Sequence, residues 1–133
     1  LDVYAGALSE LKRDFALVHT IGGHDEISLT DEALLLTGSF RTTLKKEDFG
    51  LESYINEEDL ACRDTAEENA ALVREILGGK GTLSQNYVVA ANAATAASLY
   101  FQNESYLNLF QKALEVLRKK SGIEHLELSC QQS

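Results

Sequence analysis

The chain has 133 residues, 44% hydrophobic and 25% charged, which is the balance of a domain with a packed core and excludes a disordered tail or a coiled coil. Its 21 Asp and Glu against 12 Lys and Arg give a net charge of -9. Such a field repels phosphate backbones and anionic lipid, so neither nucleic acid nor a membrane is expected as a partner. Two cysteines, Cys62 and Cys130, are too few for a disulfide framework. No stretch reads as a signal peptide or a bilayer span, and a cytoplasmic location is expected. The absence of Met means that Leu1 is not a translation start as written, and the chain reads as a segment of something longer. With no Pro, punctuation falls to nine Gly and to Asn, Asp, Ser and Thr.

In chain order, Tyr4, Ala7, Leu8, Leu11 and Phe15 recur at helical spacing around the polar Ser9, Glu10, Lys12 and Arg13, which predicts a short amphipathic helix. The run Phe15-Ala16-Leu17-Val18 ends at His19 and Thr20 and meets Gly22-Gly23, the pattern of a buried strand entering a loop. Strands are predicted at Ile27 to Leu29, Ala33 to Thr37 and Phe40 to Leu44. Gly38-Ser39 is placed as a two-residue hairpin turn that begins with Gly, and Phe40, Thr42 and Leu44 share one face. The second half is helical. Thr65 and Glu68 form a capping box ahead of Leu72, Val73, Ile76 and Leu77, and Gly78-Gly79 ends that helix. A second box, Thr82 with Gln85, opens an alanine-rich helix that runs to Leu99 and Tyr100 and is expected to be buried on more than one side. A last helix carries Tyr106, Leu109, Phe110, Ala113, Leu114 and Leu117 on one face, with Arg118, Lys119 and Lys120 in its final turn and Gly122 beyond. There is no repeat, low-complexity segment or linker, so residues 1–133 read as a single segment.

Among residues that carry chemistry, the pair Asp25-Glu26 stands out: two adjacent carboxylates on a Gly-rich loop at a strand end offer hard oxygen ligands of the kind Mg2+ takes. His19, His24 and His125 are scattered and make no site by themselves. Cys62 and Cys130 lack zinc-ligand spacing and are expected as buried or partly buried thiols. Gly78-Gly79-Lys80-Gly81 lacks the spacing of a phosphate loop and reads as a helix cap and turn. Lys45-Lys46 and Arg118-Lys119-Lys120 are short solvated patches without interleaved aromatics.

Taken in order, Val18-His19, Gly22-Gly23, Asp25-Glu26-Ile27-Ser28, Glu47-Asp48-Phe49-Gly50-Leu51, Glu67-Glu68-Asn69-Ala70, Asn92-Ala93-Ala94 and Leu99-Tyr100 resemble the C-terminal part of the anthranilate phosphoribosyltransferase family. The resemblance runs from about Leu1 to Gly122. It implies an α/β fold: a partial sheet with a β-hairpin followed by three packed helices, as in the catalytic domain shared with nucleoside phosphorylases. It also implies transfer of 5-phosphoribose from phosphoribosyl pyrophosphate to anthranilate in tryptophan biosynthesis, with Mg2+ as cofactor and Asp25 and Glu26 as its ligands.

The departures carry information too. The family's GTGGD pyrophosphate loop, its KHGN segment and its anthranilate-contacting Arg are not among these residues, so the segment alone is expected to be inactive. Thr20-Ile21 stands where the family has Gly and a polar residue, His24 where it has an apolar one, and Ala61-Cys62-Arg63-Asp64 in place of a Gly-rich turn. A partial sheet exposes an edge or an apolar face, and a homo-oligomer is expected. The competing readings are a non-catalytic binding protein on the same fold and a nucleoside phosphorylase relative.

Overall fold

The computed structural model describes residues 1–12, 15–53 and 55–131. Arg13, read above into the opening helix, lies outside the described residues. Contacts divide the chain into two compact units, Leu1–Tyr54 and Ile55–Ser133.

The first unit opens with helix α1 (Asp2–Glu10), which buries none of its side chains and leaves Val3 and Tyr4 exposed. Strands β1 (Ala16–Thr20), β2 (Ala33–Thr37) and β3 (Arg41–Leu44) follow as an antiparallel sheet in the order β1-β2-β3. Val18 pairs with Leu35, and Leu35 in turn with Thr42. The central strand alternates as a half-buried strand must: Ala33, Leu35 and Thr37 point inward. Each large side chain fully buried here, Leu35 or Phe49, contributes about 1.5–3 kcal/mol.

Three expectations for this unit are corrected. β1 is not a buried strand: it lies at the sheet edge and only Thr20 is buried. Ile27 to Leu29 form no strand. Their side chains are buried, yet Leu29 has a left-handed backbone (φ 62°), which no strand accommodates. The hairpin between Thr37 and Phe40 does form, but Gly38 stays out of the left-handed region that a turn begun by Gly would use. The Thr37 hydroxyl makes the turn instead, accepting from the N–H groups of Ser39 (3.2 Å) and Phe40 (3.1 Å). Phe40 itself is exposed, while Thr42 and Leu44 keep the inward face.

After β3 a 3₁₀ turn at Lys46–Phe49 is held by the Asp48 carboxylate, which accepts from the Lys45 N–H (2.8 Å). It ends at Gly50, whose φ of 74° favours glycine. The run Glu47 to Leu51 is thus a structural corner that seats Phe49 and Leu51 in the interior.

The second unit begins with a 3₁₀ turn at Glu57–Leu60 and continues through α2 (Ala66–Leu77), α3 (Leu83–Ser98), α4 (Tyr106–Arg118) and α5 (Ser121–Gln131). Both predicted capping boxes are present. The Thr65 hydroxyl accepts from Glu68 N–H at 3.2 Å, and that of Thr82 from Gln85 N–H at 3.3 Å. Ala90, Ala91 and Ala94 are fully buried, and their small side chains let α4 pack closely on α3. Tyr87 and Phe110 meet across that contact with ring centroids 5.8 Å apart. Gln85 Nε2 donates to the Asp59 carbonyl (2.8 Å), and the Ser84 hydroxyl accepts from Asn56 N–H (3.0 Å), tying the 3₁₀ turn to the start of α3.

Here too the structure differs in places. Val73 is exposed although Ile76, on the predicted face, is buried. α3 stops at Ser98, so Leu99 and Tyr100 lie beyond it. Gly122 does not end the helical run but sits inside α5; the break is made by Lys120, whose φ is 59°. Cys62 and Cys130 are both exposed, against the expectation of buried thiols: Cys62 lies in the connection ahead of α2, and Cys130 in the last turn of α5.

Candidate functional site

Residues 21–32 connect β1 to β2. Thr20 pairs opposite Ala33, and the Ile21 N–H donates to the Glu32 carbonyl at 2.9 Å, so the two ends of the connection meet at a neck closed by the sheet. Inside the neck the chain first turns back on Thr20. Its N–H donates to the His24 carbonyl (2.8 Å), and its carbonyl accepts from Gly23 N–H (2.9 Å). Gly23 has φ 100°, a conformation that an L side chain resists.

The far side of the loop is pinned from below. Ile27, Ser28 and Leu29 are 2%, 1% and 3% exposed. The left-handed backbone of Leu29 costs about 1–2 kcal/mol. It is maintained by the burial of its side chain and by hydroxyls on either side: Ser28 Oγ and Thr30 Oγ1 lie 2.8 Å apart. Between the two anchors Asp25 and Glu26 are exposed, as is His24. The sequence therefore places two carboxylates on the solvent side of a loop whose following residues are sunk in the core.

Neither carboxylate is paired with a cation among the described residues. Nor do three His, Cys, Asp or Glu side chains gather there into a ready cage. The donor set is thus two adjacent carboxylates with open access to water and ligand. That fits Mg2+, which keeps several waters and is commonly held by one or two carboxylates plus substrate phosphate oxygens. His19 faces Leu34 in the sheet, and His125 lies on α5 of the second unit.

Next to the loop a groove of about 480 Å³ is lined by Leu29, Thr30, Asp31, Glu32, Lys45, Lys46 and Glu47. Lys45 Nζ reaches Glu32 Oε1 at 2.6 Å across its mouth, and that contact raises the Lys45 pKa above its ordinary value. The other ordered motifs do structural work. Asn69 accepts from Arg63 N–H (2.9 Å) and donates to the carbonyls of Arg63 (2.9 Å) and Thr65 (2.7 Å), locking the Ala61–Asp64 turn onto α2. Asn92 donates to the Val88 carbonyl within α3 (2.9 Å). Composition did not single out Thr20 or the left-handed Leu29; the only sequence signal was that Thr20 replaces a glycine of the resembled motif.

An α/β chain with this loop matches the model of the glycosyl transferase family, a/b domain, over residues 1–122, and it belongs to that family. Its relatives are anthranilate phosphoribosyltransferases. That of Flavobacterium psychrophilum is 34% identical over 125 residues, covering 94% of this chain and 37% of the relative. The structure of the Thermus thermophilus enzyme superposes with a TM-score of 0.73 at 30% identity, over 94% of this chain and 36% of that one. The Saccharomyces cerevisiae enzyme in complex with PRPP and Mg shares the fold, with a TM-score of 0.76 at 21% identity over 93% of this chain and 37% of that one. The chain therefore spans a little over a third of the length of the relatives it matches.

Proposed function

We propose that the chain is the C-terminal part of the α/β catalytic domain of an anthranilate phosphoribosyltransferase, which transfers 5-phosphoribose from phosphoribosyl pyrophosphate to the amino group of anthranilate in tryptophan biosynthesis. The observation that carries this reading is the exposed Asp25-Glu26 pair on an anchored loop, in a chain of this family. Asp25 and Glu26 would hold Mg2+. Bound there, the ion supplies charge neutralisation to the pyrophosphate leaving group. The part played by the chain's own residues is positional. Ile27 and Leu29 anchor the loop in the core, and the carboxylates of Asp25 and Glu26 stay exposed to incoming ligand. With a net charge of -9, the chain repels a polyanionic substrate until a cation intervenes.

The rest of the catalytic apparatus, the Gly-rich pyrophosphate loop and the basic segment of the resembled family, is supplied from outside these residues, so the chain alone does not turn over. Self-association in the cytoplasm belongs to the same reading, and the exposed Val3, Tyr4 and Leu11 are apolar surface of the kind it requires. The test follows anthranilate fluorescence in the presence of phosphoribosyl pyrophosphate and Mg2+. The isolated chain is expected to leave the signal unchanged. Grafted into the Flavobacterium psychrophilum enzyme in place of the matched residues, it is expected to restore turnover. A folded graft without activity contradicts the proposal.

A further inference from the structure

Thr20 has 0% exposure and spends every polar group it owns on the loop that follows. Its N–H and carbonyl hold His24 and Gly23, as described above. Its hydroxyl donates to the backbone carbonyl of Glu26 at 2.5 Å and accepts from the Ser28 N–H at a longer 3.5 Å. One buried side chain thus reaches the main chain of a ligand-bearing residue from the sheet, across six positions of sequence. The glycine of the resembled motif has no side chain with which to do this. A methyl or a second carbon in place of the hydroxyl would fill the same space but leave the Glu26 carbonyl without that donor.

We infer that Thr20 is a positioning residue: its hydroxyl fixes the Glu26 backbone and so sets where the Asp25 and Glu26 carboxylates present themselves to a divalent cation. The inference rests on the reading of these two residues as the metal ligands. Its readout is the affinity of the loop for the ion: the main-chain bonds of Thr20 to His24 and Gly23 can be made by any residue at position 20, whereas the bond to the Glu26 carbonyl needs the hydroxyl.

The test titrates the full chain, labelled with ¹⁵N, with Mn2+ as a paramagnetic stand-in for Mg2+, and reads line broadening at the amides of residues 23–28. In the unsubstituted chain broadening is expected at Asp25 and Glu26 and is lost in the Asp25→Asn, Glu26→Gln double variant. Thr20→Val is expected to weaken the apparent affinity at least fivefold, while Thr20→Ser, which keeps the hydroxyl, stays within twofold of the parent. Thr20→Ala repeats the removal with a smaller side chain in case the Val variant does not fold. If a folded Val or Ala variant binds Mn2+ as the parent does while the double variant does not bind, the role of Thr20 is overturned and the metal site stands. Should the double variant broaden like the parent, the metal reading itself fails, and the inference with it.

Discussion

At the scale of single residues, the site depends on backbone conformations that few side chains accept. Gly23 holds φ 100° where the chain turns back on Thr20, so Gly23→Ala is expected to destabilise the fold by about 1 kcal/mol. The shift in urea midpoint at constant slope measures it. Phe49, 1% exposed beneath the corner that Gly50 completes, is expected to cost about 3–5 kcal/mol on replacement by Ala, read in the same way. Asp25 and Glu26, the metal ligands of the proposed function, stand out in the sequence because adjacent carboxylates after two glycines form a local pattern. Thr20 does not, because a Thr at the end of a strand looks like an ordinary β-former. Its role emerges only once the chain has folded back to bring Glu26 and Ser28 to its hydroxyl.

At the scale of elements, the helices were read more accurately than the strands, and the reason lies in where their signals sit. A capping box is written in four consecutive residues, and both boxes formed as expected. Removing one, Thr65→Ala, is expected to cost about 1 kcal/mol and to fray the first turn of α2, seen as faster amide exchange at Glu67 and Glu68. Gly81 is required for another reason: a Cβ there would lie 2.8 Å from Asn86 Oδ1 and 3.1 Å from Ile76 Cγ1, so Gly81→Ala is expected to destabilise the α2–α3 turn by about 1–3 kcal/mol. The run Ile27 to Leu29 misled because it has the apolar content of a strand, and only the Ser28 and Thr30 hydroxyls around a left-handed Leu29 show why it becomes a buried loop. α5 is not legible in the sequence because Gly122 has the pattern of a helix stop, whereas the turn is made by a left-handed Lys120, a residue type that gives no warning.

At the C-terminus of α4 the Lys119 ammonium hydrogen-bonds and attracts Glu115, 2.6 Å away, and lowers its pKa from the ordinary 4.5. A lowered carboxyl pKa means that the pair's contribution is present above pH 4.5 and is lost as pH falls through the lower folded value. A carbon-detected titration of Glu115 is expected to show that lowered midpoint, and Lys119→Ala to return it upward. Both side chains are exposed, so the effect on global stability is small.

At the scale of the whole molecule, the ordered motifs proved more informative than any one of them, because most turned out to be fold-bearing. Asp48 and Gly50 shape a corner, Asn69 locks a turn, and Asn92 donates to the Val88 carbonyl of its own helix, while Asp25 and Glu26 stay exposed on their loop. Under the proposed function, the apolar surface left on α1 and the net charge of -9 belong together, the first calling for a packed neighbour and the second for a cation before a polyphosphate approaches.

The most direct measurement is the Mg2+-dependent consumption of anthranilate by the grafted enzyme with and without Asp25→Asn and Glu26→Gln. The unsubstituted graft is expected to turn over, and the double variant, still folded, to lose about 100-fold or more of the rate. A double variant that keeps the rate of the graft would contradict it.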